Sequence, residues 1–177
     1  MTEATCPGPG TVVSVNTADC KTVRKKQVGC AEVAFDWGIT TDAHAGDWHR
    51  QVSLLAIESI DKMRAKGLDV GPGDFAENIT TEGIDLLALP IGSMVRVGDD
   101  VTLEVSQIGK ICHTRCAIYY QAGDCVMPRE GIFAVARKAG PIKVGDSVEV
   151  ISIGNGSCDR VPEDYPTPQN TPMPEGT

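Results

Sequence analysis

The densest group of reactive side chains lies in residues 107–131, which read QIGKICHTRCAIYYQAGDCVMPREG. This segment contains three of the seven cysteines and one of the three histidines of the chain. Basic residues stand close to Cys112 on both sides, namely Lys110, His113 and Arg115. Positive neighbours favour the thiolate form of a cysteine, which is the form that attacks sulfur or binds a soft metal. The segment therefore predicts thiol chemistry centred on Cys112.

Two further cysteines of this segment leave several roles open. Cys116 is a second candidate for a reactive thiol, whereas Cys125 could be a resolving thiol, a metal ligand or a packing residue. The residue types also suit a tetrahedral zinc site, whose ligands would be Cys112, His113, Cys116 and Cys125. Adjacent Cys and His residues seldom bind one ion together, however, and the spacing lacks a CxxC pair. We therefore rank zinc, or an iron–sulfur cluster, below a thiol site.

A second group of polar side chains lies in residues 39–51, which read ITTDAHAGDWHRQ. His44 and His49 flank an Ala-Gly-Asp-Trp sequence, and the segment shows no regular apolar period. It is therefore interpreted as a loop with a functional role. Of the two histidines, His44 is the stronger candidate for proton transfer.

The chain's clearest helical pattern follows this loop. Apolar residues recur at helical spacing through residues 52–66, and Gly67 is a typical helix stop. The predicted helix begins near Arg50, Gln51 and Ser53. Because a helix N-terminus binds anions, we expect these three side chains to contact an anionic ligand.

Three more residues are candidates for the same binding site. Glu77 and Asn78 stand between a turn and a predicted strand, so they are interpreted as the wall of a pocket, with loop bracing as the alternative. Arg129 suits a phosphate or oxo-anion because its guanidinium donates two parallel hydrogen bonds, although it could instead pair with Glu130.

Strand patterns outnumber helical ones. Alternating or β-branched runs bounded by glycine turns occupy residues 11–16, 29–36, 91–98, 101–108 and 142–150. Short strands with frequent turns and one good helix predict a mainly β fold, most economically a small barrel with one or two helical insertions.

Composition limits the classes of partner. A net charge of −8 and a pI near 4.8 disfavour nucleic-acid binding, which needs clustered lysine and arginine. The one dense basic run, residues 21–26, is interpreted as a solvated strand or loop face. No signal peptide pattern opens the chain and no apolar run approaches the length of a membrane span, so we expect a cytoplasmic protein with no membrane partner.

The length of 177 residues fits one domain. We assign residues 1–155 to that domain. Residues 156–177 are rich in proline and poor in aliphatic side chains, which predicts a flexible tail or one laid along the surface.

Four segments in this order resemble the MOSC domain family, named for the C-terminal domain of molybdenum cofactor sulfurases, and specifically its stand-alone bacterial members. They are residues 37–55 (WGITTDAHAGDWHRQVSLL), 73–83 (GDFAENITTEG), 89–107 (LPIGSMVRVGDDVTLEVSQ) and the cysteine segment. The resemblance implies a β-barrel and a role with the molybdenum cofactor (molybdopterin). It also implies a sulfur-carrier cysteine at the position of Cys112. This chain departs from the family pattern because Ile111 replaces the proline that commonly precedes that cysteine.

The resemblance favours a sulfur carrier or transferase, in which Cys112 forms a thiolate or persulfide. In this hypothesis His44 and His113 move protons, while Arg50 and Arg129 hold the anion. The chain lacks the cysteine desulfurase domain of eukaryotic sulfurases, so a separate cysteine desulfurase would supply sulfur, and pyridoxal phosphate is not predicted. Two alternatives stay open. One is a cofactor carrier without turnover, in which Cys112 binds molybdenum, and the other is a small reductase or sulfur-compound lyase.

Overall fold

The computed structural model describes residues 8–111, 117–123 and 125–166. Strands dominate these residues. In chain order they are β1 (Gly10–Thr17), β2 (Lys26–Gln27), β3 (Cys30–Ala34), β4 (Gly38–Ile39), β5 (Val52–Ala56), β6 (Ile79–Glu82), β7 (Met94–Val97), β8 (Val101–Ile108), β9 (Ile132–Lys138), β10 (Gly140–Lys143) and β11 (Ser147–Ser152). The helices are α1 (Ile57–Ala65), α2 (Ala117–Ala122) and α3 (Met127–Glu130), and a 3₁₀ turn spans Leu86–Ala88.

Seven strands of the described chain close into a barrel, in the order β11, β7, β8, β9, β5, β6 and β1. The ring closes where β1 pairs with β11, with Gly10 opposite Val148. Neighbouring strands are antiparallel except β5 and β6, which run parallel. Closure leaves the barrel strands without an open edge. The predicted mainly β barrel is therefore confirmed.

Strands outside the ring extend one side of the barrel. β2 pairs with the end of β1, and β3 lies between β10 and β4 in a separate small sheet. The predicted hairpin is present as β7 and β8, with Val97 opposite Val101 across the turn.

Side-chain alternation divides the apolar residues between two clusters. On β9, Ile132, Ala134 and Ala136 point into the barrel interior, whereas Phe133 points outward. The outward side packs beneath the helices, where Leu55 of β5 meets Ile60 of α1. Period-2 alternation explains why one strand can serve both clusters.

The predicted helix over residues 52–66 is wrong in its first part. Residues Val52–Ala56 form the strand β5, and the helix begins only at Ile57. Four of the five β5 residues are buried because the barrel interior covers one face and helices cover the other. A strand buried on both faces reads as a continuous apolar run, which sequence periodicity does not separate from a helix. Arg50, Gln51 and Ser53 therefore do not form a helix N-terminus.

The start of the C-terminal segment lies along the barrel surface. Cys158 is buried and the backbone N–H of Gly154 donates to Ser93 Oγ at 2.9 Å. Residues 167–177 lie outside the described residues, so the flexible tail stays a prediction there. Among the described residues, no helix is both long and apolar enough to cross a bilayer.

Candidate functional site

Trp48 organises a cluster that we call the Trp48 site, formed by His44, Trp48, His49, Arg50, Phe133 and Tyr165. The Trp48 ring stacks on His44, with centroids 6.5 Å apart and planes 14° apart. It meets the His49 ring edge-on at 6.3 Å. Its indole N–H donates to the carbonyl of His44 at 2.8 Å, which fixes the loop around the ring. The loop singled out by its histidines and arginine therefore forms one connected group.

Arg50 is the cationic centre of this site. Its guanidinium carbon lies 5.1 Å from the Trp48 ring centroid and 4.6 Å from that of Phe133. Cation–π contacts with two rings orient the guanidinium without neutralising it. Among the described residues, no carboxylate pairs with Arg50, and its buried Nε has no hydrogen-bond partner. Arg50 is thus a positioned cation with donors still to satisfy.

A second cation lies on the same tryptophan. Lys21 Nζ lies 4.8 Å from the Trp48 ring centroid. Two positive charges at one aromatic ring favour an anionic ligand at this site.

His49 lies almost completely inside the protein, with 2% of its surface exposed. Its Nε2 lies 2.9 Å from Gln107 Oε1, while Gln107 Nε2 donates to the Gly109 carbonyl at 2.8 Å. Since the amide nitrogen is committed to that carbonyl, its oxygen must accept from His49, which places the ring proton on Nε2. Burial lowers the pKa of His49, and the nearby charges of Arg50 and Arg160 lower it further, against the effect of the Gln107 hydrogen bond.

His44 is held by a buried ion pair. Lys25 Nζ donates to both carboxylate oxygens of Asp42 at 2.7 Å and to His44 Nδ1 at 3.0 Å. These contacts use all three ammonium protons, so in the neutral His44 ring the proton lies on Nε2. The side chains of Lys25 and Asp42 are each 1% exposed. The interpretation of residues 21–26 as a solvated face is therefore wrong for Lys25.

The Asp42 carboxylate is stabilised in its charged form. Burial raises the pKa of Asp42, but the neighbouring His44 and Lys25 side chains outweigh burial and hold the pKa well below its ordinary range. The backbone N–H groups of Ala18 and His44 also donate to it, each at 3.0 Å. We call this ion pair the Lys25–Asp42 brace. Its ammonium and both of its carboxylate oxygens are hydrogen-bonded, so it holds His44 in a fixed position.

Glu77 and Asn78 lie in a buried polar network between strands. Asn78 Oδ1 accepts from the backbone N–H of Ser53 at 3.0 Å and from its hydroxyl at 3.1 Å. Glu77 Oε1 accepts from the Gly73 backbone at 2.6 Å and from Thr80 Oγ1 at 2.8 Å. Burial raises the pKa of Glu77, and among the described residues its buried Oε2 has no hydrogen-bond partner. These contacts show a bracing role, while contact of Glu77, Asn78 or Ser53 with a cofactor stays a prediction.

Gln51 also serves the scaffold. Its Oε1 accepts from the Ala136 backbone at 3.0 Å, and its Nε2 donates to Asp36 Oδ1 at 3.1 Å. Arg129 lies on α3 with an exposed side chain. Its neighbour Glu130 accepts from Lys62 and, at 3.4 Å, from Ser59 Oγ.

The central cysteine prediction falls outside the described residues, because Cys112, His113 and Cys116 lie in residues 112–116. Cys125 is buried in the apolar cluster beneath the helices, next to Val126 and Met127. In the described part of the chain, one group at metal-binding distances consists of Glu104, Cys158 and Asp159. The Arg137 guanidinium already pairs with both of these carboxylates, which leaves them engaged in a salt-bridge network.

A cavity of about 290 Å³ lies away from the Trp48 site. It opens beside α1 and is lined by Ser59, Lys62, Ile84 and Glu130, among others. Of the predicted catalytic and cofactor-binding residues that the structure describes, none lines it.

The pattern of the MOSC domain matches residues 41–149, which include the Trp48 loop and the whole cysteine segment. This chain belongs to the MOSC domain family. MOSC domains are associated with molybdenum cofactor and sulfur chemistry, which agrees with the resemblance found in the sequence. None of the curated proteins compared gives a significant match to this MOSC domain.

Solved structures share the fold of this MOSC domain. The YuaD protein from Bacillus subtilis superposes with a TM-score of 0.69 and 19% identity, covering 81% of this chain and 96% of its own. YiiM from Geobacillus stearothermophilus gives 0.59 and 17%, covering 81% and 75%. YiiM from Escherichia coli gives 0.59 and 20%, covering 82% and 71%. Identities this low show the fold alone.

Several residues in or next to the Trp48 site were not singled out by sequence reasoning. Lys25 and Gln107 reach the histidines from other segments, Asp42 lies in the histidine loop itself, and Tyr165 reaches them from the C-terminal segment. One signal was available, since a polar Gln107 at the end of the apolar strand β8 is unusual in a core. The others depend on contacts between distant parts of the chain.

Proposed function

We propose that this MOSC domain binds the molybdenum cofactor through an anionic group at Arg50 and handles sulfur through Cys112. The observation that supports the binding step is the state of Arg50, a guanidinium in cation–π contact with two aromatic rings and with a buried, unsatisfied Nε. An orphaned buried donor costs about 1–3 kcal/mol. An anion that satisfies this donor would recover that free energy on binding.

The donor set at this site fits a phosphate group. Arg50 offers several N–H donors in a planar fork, a geometry that matches phosphate oxygens. Lys21 adds a second positive charge over the same tryptophan. Arg129 is the proposed further contact from the cysteine segment. When bound, the cofactor would supply a metal centre whose terminal ligand can be exchanged for sulfur.

The sulfur step is assigned to Cys112, which follows directly after the described residue Ile111. In the proposed reaction the Cys112 thiolate attacks the outer sulfur of a donor persulfide. A new S–S bond forms at Cys112, the S–S bond of the donor breaks, and the donor leaves as a thiolate. Sulfur moves without net oxidation, so no further oxidant is required.

Proton transfer is assigned to His44 and His113, with Cys116 as the proposed second thiol. The Lys25–Asp42 brace supports this role for His44 because it fixes the ring and directs the Nε2 proton away from Lys25. His49 is held by Gln107 in a defined tautomer beside Arg50, so it is a further positioning residue of the proposed site.

The decisive experiment is sulfur loading followed by intact mass spectrometry. We expect the protein incubated with a cysteine desulfurase and cysteine to gain the mass of about one sulfur atom on Cys112. Cys112→Ala should abolish the gain, whereas Cys30→Ala, which removes an exposed thiol from β3, should keep it. Loading that persists in Cys112→Ala would contradict the assignment.

A cofactor carrier without turnover is the second candidate function. Two observations on the described residues favour this alternative. Arg50 and Lys21 offer positive charge to an anionic ligand, and the charges of Lys25 and Asp42 are already paired with each other. In this alternative Cys112 is a molybdenum ligand. Anaerobic purification with metal analysis separates the two, because a carrier retains stoichiometric molybdenum and fails to accept sulfur from the desulfurase.

A further inference from the structure

The C-terminal segment after the barrel is anchored at its beginning. Cys158 is 8% exposed, and Arg137 pairs with Asp159 next to it and with Glu104 of β8. The backbone N–H of Val161 donates to the Cys158 carbonyl at 3.1 Å. These contacts fix the point from which residues 161–166 extend toward the Trp48 site.

Arg160 attaches this segment to the loops around the site. Its Nε donates to Asp36 Oδ1 at 2.9 Å, and its Nη2 donates to Asp47 Oδ1 at 2.5 Å. Asp36 Oδ1 also accepts from Gln51, the neighbour of Arg50, while Asp47 is the neighbour of Trp48. The Arg160 guanidinium therefore holds the segment close to both Arg50 and Trp48.

Tyr165 is the residue that this arrangement delivers to the site. Its ring lies edge-on to His49, with centroids 4.4 Å apart and planes 75° apart. Its hydroxyl accepts a hydrogen bond from Arg50 Nη1 at 3.5 Å, a long distance for such a bond. Tyr165 thus contacts both the buried histidine and the cationic centre.

We propose that Tyr165 is an anion-binding residue of the Trp48 site, positioned there by Arg160. The inference rests on the proposed function, since it assumes that Arg50 binds an anion. A hydroxyl both accepts and donates, so Tyr165 can accept from Arg50 while donating to an oxygen of the phosphate that the same guanidinium binds. The ligand class is therefore a phosphate or a similar tetrahedral oxo-anion.

The geometry favours this role over that of a cap that shuts the site. With Tyr165 in place, Arg50 is still only half-buried, so the segment does not shut this residue off from solvent. The segment also lies beyond residues 41–149, the region that matches the family pattern. Tyr165 is therefore a contribution of this chain's own C-terminal segment to the site.

The test uses Trp48 as the reporter of anion binding. The chain has two tryptophans, so Trp37→Phe leaves Trp48 as the single tryptophan of the full-length protein, and its emission is followed by selective tryptophan excitation. Inorganic phosphate and molybdate are titrated separately, and dissociation constants are read from the fluorescence. Tyr165→Phe keeps the ring and removes only the hydroxyl, so we expect affinity to fall about three- to tenfold at unchanged thermal stability. Arg160→Ala should weaken binding to a similar degree.

Control variants make each outcome decisive. Tyr120→Phe, at a ring that is 74% exposed, should leave the dissociation constants unchanged. Arg50→Gln should abolish binding. If Arg50→Gln abolishes binding but Tyr165→Phe leaves it unchanged or tightens it, the inference is overturned while anion binding at Arg50 stands. Absence of binding in the parent protein overturns both, and sulfur loading of Cys112 is judged separately by mass.

Discussion

The buried Lys25–Asp42 pair is the residue-scale feature on which the position of His44 depends. Both charges lie out of contact with water, and each is satisfied by the other and by His44. Removing one partner of such a pair leaves the other charge buried and unpaired, which is far more costly than losing an exposed pair. The site therefore relies on a brace that is itself sensitive to single substitutions.

Asp42→Asn tests this brace. The new amide cannot accept from all of the donors that surround it, and burial lowers the pKa of Lys25 with less opposition from its partner. We expect the free energy of unfolding in urea to fall by about 3–5 kcal/mol. Glu149→Gln is the control, because its partner Arg96 is exposed, and it should change stability by less than about 1 kcal/mol. Equal effects of both variants would contradict a buried brace.

The same pair predicts a specific pH dependence. The folded pKa of Asp42 lies below its ordinary value of 3.8, so the charged carboxylate stabilises the fold above that pH. This contribution is lost as the pH falls through the folded pKa. The stability difference between the wild type and Asp42→Asn should therefore shrink as the pH is lowered below about 3.8. A difference that stays constant under acid would contradict the assignment.

His49 gives a residue-scale prediction that NMR can read directly. Burial lowers the pKa of His49 below its ordinary value of 6.5. Gln107→Glu places a carboxylate opposite the ring, which favours the imidazolium and should raise the pKa of His49. Gln121→Glu makes the same substitution at an exposed position and should leave the His49 titration unchanged. An unchanged titration in Gln107→Glu would show that the two side chains do not meet.

At the scale of elements, Asn78 connects three strands of the barrel. Its Oδ1 accepts two hydrogen bonds from Ser53 of β5, and its Nδ2 donates to the Asn16 carbonyl of β1 at 3.2 Å. It directly precedes β6. The Asn78 side chain thereby links the parallel strands β5 and β6 where their pairing begins. This link fixes Ser53 and the adjacent loop that contains Arg50.

Asn78→Ala should weaken this junction strongly. The substitution leaves buried backbone and hydroxyl groups without partners, each costing about 1–3 kcal/mol, so we expect a loss of about 2–4 kcal/mol in chemical denaturation. Asn155→Ala, at an exposed position, should cost less than about 1 kcal/mol. A loss in Asn78→Ala no larger than in this control would contradict the bracing role.

At the scale of the whole molecule, the barrel and the C-terminal segment have separate roles. The last barrel strand, β11, ends at Ser152, and the ring is closed by β1 before the segment begins. The segment adds Tyr165 over His49 and the Arg160 ion pairs to loop residues. The barrel ring is therefore complete without the segment, whereas the environment of His49 includes it.

Truncation after Asn155 tests this division. We expect the truncated protein to keep its far-UV circular dichroism spectrum and to unfold cooperatively. Modification of His49 by diethyl pyrocarbonate should become faster, because the Tyr165 ring no longer covers it. Full-length Tyr165→Phe keeps the covering ring and should react at the wild-type rate. Loss of the fold, or an unchanged modification rate, would contradict the prediction.

The sequence by itself determined the local features of this protein. Alternating runs identified β1, β7 and β8, and four ordered segments identified the MOSC family. Residue types also selected His44 and Arg50 as site candidates. Periodicity reports which side chains share a face of one element, so it was sufficient for these predictions. It was insufficient for β5, where burial on both faces removed the alternation.

Only the tertiary structure decided which groups meet. Asp42 pairs with Lys25 across 17 positions, His49 meets Gln107 across 58, and Arg50 reaches Tyr165 across 115. Such pairings depend on strand order, register and loop path, which local propensity does not encode. For the same reason the sequence did not predict that Lys25, in a basic run, is buried against Asp42. It also did not predict that Tyr165, in a proline-rich segment, contacts His49 and Arg50.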